Sequence, residues 1–233
     1  MAIDADVLDD PVGRSLRTSH AHLARRVGSA ATYLPEVATF AALPGRPTSE
    51  DWSDLASLLG PGKLADLFSA ERTPPQDWAP VFSVEGVQMV AGENVVGGTV
   101  PAEEDLVRLG AADVPDMLRL AELARPGPFW RRTIELGTYL GIRTRGELVA
   151  MAGERLRPPG WTEISAVCTA PGVRGRGHAS ALVGALMRDI AHRGERPFLH
   201  VAGHNTGAVR VYERLGFTVR RPVRFHGYRT PGP

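Results

Sequence analysis

The sequence has almost no lysine, almost no cysteine and almost no net charge. Lys63 is its only lysine, so arginine supplies nearly all the basic charge. That is a compositional bias, and no function follows from it. A formal net charge of +1 argues against a general nucleic-acid binder, which needs a strongly basic surface. One cysteine, Cys168, excludes an internal disulfide and suits a reducing compartment. No apolar run approaches the roughly 20 residues needed to span a bilayer. Met1-Ala2-Ile3-Asp4-Ala5-Asp6 is acidic and lacks an apolar core, unlike a signal peptide. A cytoplasmic protein is therefore expected. What is present is ordinary globular material: 233 residues, 43% hydrophobic and 23% charged, enough for one large domain or two small ones.

The most informative stretch runs from Trp161 to Arg193. Ile164, Ala166 and Cys168 alternate with Glu163, Ser165 and Thr169, which predicts a strand over 162–169. Pro171 and Gly172 stop the ladder. Arg174-Gly175-Arg176-Gly177-His178-Ala179 follows, and from Ala179 a helical period sets in, with Leu182, Leu186 and Ile190 on one face. Gly194 suits its end. Glycines at a strand-to-helix junction let backbone amides converge on a ligand, and the helix start adds orphan donors and dipole, so an anion site is expected. A packing turn is the competing reading.

Three phosphate loops can be separated by spacing. A P-loop needs Lys-Ser/Thr after its last glycine, where this chain has His178-Ala179. A dinucleotide fingerprint needs its first glycine near the strand end and a third glycine three residues after the second. Here 170–174 intervene and Ser180 occupies the third position. Arg174-x-x-Gly177-x-Ala179 resembles the pyrophosphate loop of GNAT acetyltransferases at each fixed position. Asn205-x-x-Ala208-x-x-x-Tyr212-Glu213-x-Leu215-Gly216-Phe217 resembles the second signature of that family, at its usual distance. Residues of about 105–229 are identified as a GNAT, FR47-like unit.

Before residue 100 no catalytic signature is found. His20, Leu23 and Ala24 suggest a helix. Asp51–Leu59 suggests another, capped by Ser49, and Val81–Ala91 a strand interrupted at Glu85-Gly86. In Gly60-Pro61-Gly62 the proline removes a donor that a phosphate would use. The turn-rich segment 97–104 is the expected boundary between an N-terminal domain, 1–100, and the GNAT domain, 105–233. In length and position the first resembles a degenerate GNAT-like half. The second is read as strand 106–109, helix 114–124 capped by Asp113, and a hairpin of 138–143 with 148–156. Strands at 198–201, 217–221 and 223–228 follow. The fold class is α/β (α+β), a mixed central sheet flanked by helices. Phe129 and Trp130, beside Arg131 and Arg132, would frame a flat or anionic acceptor or roof the core.

The resemblance implies an acyltransferase that moves an acetyl group from coenzyme A directly to an amine in a ternary complex, with acetyl-CoA as co-substrate and no metal. Backbone groups of Val167, Cys168 and Thr169 would pair with the pantetheine arm. Arg174, Gly175, Arg176, Gly177, His178, Ala179 and Ser180 would hold the pyrophosphate, with Asn205 nearby. Tyr212 matches the position whose hydroxyl faces the coenzyme sulfur, a core ring with its hydroxyl tied off being the other reading. Glu163 is the acid–base candidate, with binding of the acceptor's ammonium or a structural salt bridge as its other readings, and His200 is second. Cys168 reads as apolar filler. A small-molecule or peptide amine would be the acceptor, with no nucleic-acid or membrane partner, and a homodimer is allowed for. A non-catalytic acyl-CoA-binding protein is the alternative; a nucleotide-dependent oxidoreductase is disfavoured by the loop spacing.

Overall fold

The computed structural model describes residues 5–68, 72–92 and 105–232. In chain order its elements are α1 (Pro11–Arg17), β1 (Ala24–Val27), β2 (Ala30–Tyr33), β3 (Ala41–Ala42), α2 (Ser49–Leu59), β4 (Leu64–Leu67) and β5 (Ala79–Ala91). There follow β6 (Asp105–Leu109), α3 (Val114–Ala124), β7 (Tyr139–Thr144), β8 (Glu147–Glu154) and β9 (Trp161–Thr169). The chain continues through α4 (His178–His192), β10 (Arg196–Ala202) and α5 (Thr206–Arg214) to β11 (Phe217–Arg229). Eight strands form one mixed sheet in the order β4-β11-β5-β10-β9-β8-β7-β6, and β1-β2-β3 form a second, small one. Among the described residues only β9 and β10 run parallel within the large sheet.

Alternation along the strands assigns its two faces. Leu199 and Val201 of β10 pack with Leu182, Leu186 and Tyr212 under α4 and α5. Phe198, pointing the other way, packs with Leu8, Leu16 and Tyr33 of the amino-terminal layer. Likewise Ala150 and Ala152 meet α4, while Met151 between them meets α3. The expected boundary at 97–104 lies outside the described residues, but the sheet crosses it. β5 lies between β10 and β11, so residues on both sides of the boundary share one sheet.

Several local expectations change. No α-helix starts at His20: a short 3-10 turn covers Ala21–Leu23 and the chain then enters β1. His20 instead bridges layers, with Nδ1 2.9 Å from the Tyr33 hydroxyl and Nε2 3.1 Å from the Leu136 carbonyl. α2 is capped by Thr48 rather than Ser49, in a capping box with Asp51. β5 passes through Glu85-Gly86 unbroken. Gly86 is needed there because a Cβ would stand 2.6 Å from the Val201 carbonyl and 2.7 Å from the Phe225 ring. Residues 217–229 form one strand with bulges. The hairpin turn at Arg145-Gly146 has φ of +53° and +85°, as a two-residue primed turn requires. Gly60 and Gly62 are tied to the chain end, through the Thr230 hydroxyl and the Pro231 carbonyl, so that loop serves packing.

Gly153 carries a stability prediction. A Cβ there would fall 2.2 Å from two atoms of the Tyr139 ring, which is fully buried. Gly153→Ala should destabilise the protein by about 1–3 kcal/mol, the usual penalty of overpacking. Urea denaturation checks this, and an unchanged midpoint would mean the ring has room to move.

Among the described residues no helix is long and apolar enough to cross a membrane.

Candidate active site

Two features of β9 open the sheet. It pairs with β10 only through Trp161, Thr162 and Glu163. On its other edge Met151 faces Cys168 and Gly153 faces Ser165, so Ala166 and Val167 both stand opposite Ala152. Ala166 adopts φ of +51°, a left-handed conformation rare for a residue with a Cβ. Such a bulge bends its strand and adds twist. Beyond Glu163 the parallel strands separate, leaving 164–169 without a strand partner on that side.

A cavity of about 820 Å³ fills the opening. Val167, Cys168 and Thr169, the loop 174–177 and Tyr212 line it, as do Phe68, Arg155, His200 and Phe225. Val201 and Tyr212 belong to the α4–α5 face and His200 alternates to the other, so the cavity passes through the sheet.

The loop has the form its sequence implies. After one 3-10 turn, Pro171–Val173, Gly175 and Gly177 take φ of +82° and +88°. The space a Cβ would occupy at either is open. Gly177 is the N-cap of α4, so the amides of His178, Ala179 and Ser180 are first-turn donors without helical acceptors. Arg174 and Arg176 are exposed beside them, Arg174 with Nε 3.3 Å from the Thr169 carbonyl. Asn205 caps α5, its side chain accepting from the Ala208 amide at 3.2 Å, and also reaches the cavity wall. Cys168 is buried, and that burial pushes its thiol up to about 12, in keeping with a filler.

Tyr212 stands on the wall with its ring edge-on to Phe217. Among the described residues its hydroxyl makes no hydrogen bond, and burial pushes the phenol up to about 12. It is a protonated donor facing the cavity.

Glu163 behaves differently from the acid–base group expected of it. It is fully buried and does not line the cavity. Arg155 grips it through Nε at 2.8 Å and Nη2 at 2.6 Å, and His200 Nδ1 lies 2.6 Å from the same carboxylate. Burial by itself would raise its pKa; the Arg155 charge and hydrogen bonds, with the hydrogen bond from His200, more than reverse that and bring it to about 2. A carboxylate so held is a poor base for an ammonium. His200 is also committed: Gln88 Nε2 donates to its Nε2 at 3.1 Å, so the proton sits on Nδ1, toward Glu163. Burial lowers its pKa, so the ring is neutral.

Arg155, Phe68 and Phe225 escaped the reading of the sequence. The Arg155 guanidinium lies 4.5 Å from the Phe68 ring centroid and 5.1 Å from that of Phe40, and Phe68 stacks on Phe225 at 4.7 Å. A glutamate on a central strand was the available signal, since a buried carboxylate needs a cationic partner. Phe129 packs on Tyr139 in the α3 core, which supports the roofing role.

The family model described as FR47-like protein matches residues 139–226. A crystal structure of an acetyltransferase assigned to the GNAT family from Novosphingobium aromaticivorans DSM 12444 is 37% identical, with a TM-score of 0.85. That match covers 95% of this chain and 97% of the other. A GCN5-related N-acetyltransferase from Kribbella flavida superposes with a TM-score of 0.66 at 18% identity, covering 95% of each chain, which speaks for the fold alone. No curated protein matches by sequence. Fold and relatives together point to the class of acyl-transferring enzymes. The chain belongs to the GNAT family.

Proposed function

We propose that the protein is an acetyl-CoA-dependent N-acetyltransferase that passes the acetyl group directly to an amine. The observation that carries this reading is the unpartnered, protonated Tyr212 hydroxyl on a cavity that begins at the α4 amides and crosses the sheet. The residues fit coenzyme A. Glycines at positive φ leave room for a pyrophosphate, first-turn amides and Arg174 and Arg176 suit its charge, and residues 164–169 offer unpaired backbone to an amide-bearing arm.

Acetyl-CoA would supply the thioester. A neutral amine adds to the carbonyl, a C–N bond forms, the C–S bond breaks, and the amine proton is lost as the thiolate gains one. Tyr212 stabilises the sulfur as charge develops. With the phenol near 12 and a thiol near 8.5, complete transfer from Tyr212 is uphill by about 5 kcal/mol, so it acts as a hydrogen-bond donor. Neither Glu163 nor His200 is placed to take the amine proton.

Acetyl-CoA should raise the melting temperature, by about 2.7 kcal/mol of stabilisation at 100 times Kd, whereas NAD and ATP should not. Gly177→Asp should abolish the shift, because it sets a β-carbon and negative charge at a φ of +88° where phosphate approaches. No shift in the wild type at millimolar acetyl-CoA would overturn the assignment.

A further inference from the structure

We infer that the cavity takes an amine acceptor that also carries a carboxylate, with an apolar or aromatic body, and that Arg155 reads the carboxylate. This rests on acyl transfer at the cavity but concerns the opposite end from the coenzyme loop. Arg155 lines that end, and its side chain is 14% exposed while Glu163 behind it is 0% exposed. Its Nε–H and one Nη2–H are taken by Glu163, which leaves the second edge of the guanidinium, the other Nη2–H beside Nη1; among the described residues Nη1 makes no hydrogen bond.

The inventory of charged groups at this end is one-sided. The Glu163 oxygens accept from Arg155 and His200, and both His200 nitrogens are occupied. Asp66, a further buried carboxylate of this cluster, accepts from the Thr39 hydroxyl at 2.9 Å and does not line the cavity. The charged group left for a ligand is thus a donor, a guanidinium edge, whose planar fork matches a carboxylate. Phe40 and Phe68 hold its plane, and the Phe68–Phe225 stack supplies an apolar wall next to it. A polycationic acceptor would find no free carboxylate there, since neither Glu163 nor Asp66 lines the cavity.

The test uses the full chain loaded with coenzyme A and compares free amino acids with their carboxamides, which keep the amine and lose the charge. L-Phenylalanine against L-phenylalaninamide, and L-leucine against L-leucinamide, are titrated by calorimetry, with spermidine as the polycation. The acid should bind about 10- to 150-fold more tightly than its amide, the range for a charge-assisted hydrogen bond. In the paired variant R155M/E163Q, which removes both charges together, the ratio should fall toward one while coenzyme A still binds. Equal or tighter binding of the amides or of spermidine, no binding of either acid at 10 mM ligand concentration on the order of a weak site, or a ratio that survives the paired variant, would each overturn the inference. If the paired variant does not fold, the wild-type ratio decides alone. Acid-selective binding without turnover would leave the inference standing and remove the acetyltransferase reading instead.

Discussion

Glu163→Gln should cost the fold about 3–5 kcal/mol, although it changes one atom and keeps the shape. The substitution leaves the Arg155 guanidinium buried without its counter-charge, and breaking one side of a buried pair is far more costly than never having had it. R155M/E163Q should recover much of the loss, because neither charge is then desolvated alone. Chemical denaturation of the single and paired variants measures both, and a single variant within 1 kcal/mol of wild type would mean that water screens the pair. The same pair sets an acid limit. Glu163 has its folded pKa lowered from 4.5 to about 2, so its contribution is present above pH 4.5 and is lost as pH falls toward 2. His20 acts in the same direction from a higher window. Burial lowers its pKa from 6.5 to about 4, the unfolded chain takes up the proton first, and stability begins to fall as pH drops through 6.5.

That pair also marks where sequence reading stopped. The loop and both helices around it were legible because each is local: glycines fix φ, Asn205 caps the helix it precedes, and the apolar period of α4 repeats every turn. The exposed-or-buried state of Glu163 is not local. It depends on Arg155 reaching it from beyond the end of β8 and on His200 across the parallel pairing, contacts separated by 8 and 37 residues. The same holds for β5. Its apolar run predicts a strand, but its place between β10 and β11 is set by long-range pairing. The boundary at 97–104 was read from turn-forming composition, which says nothing about strand partners. His20 failed as a helix start because the Tyr33 hydroxyl and the Leu136 carbonyl, both remote, hold its ring. Phe68 and Phe225 carry no motif; only the fold brings them to the cavity.

Tyr212→Phe should lower kcat by roughly 10²-fold, the effect of deleting one donor at a developing anion. Deleting the hydroxyl removes no hydrogen bond within the described protein, so little stability should be lost, and the ring keeps its edge contact with Phe217. Acetyl-CoA affinity should change little, since the interaction strengthens mainly as the C–S bond breaks. A thioester with a less basic leaving thiolate should recover part of the rate, because it asks less of the missing donor. Steady-state kinetics with both thioesters, beside a thermal shift with coenzyme A, separates the two roles open to this side chain. Normal kcat with lost stability and lost coenzyme binding would make Tyr212 a packing residue and remove the donor from the mechanism. A fall in kcat that the better leaving group does not relieve would place the slow step elsewhere, at amine deprotonation or product release.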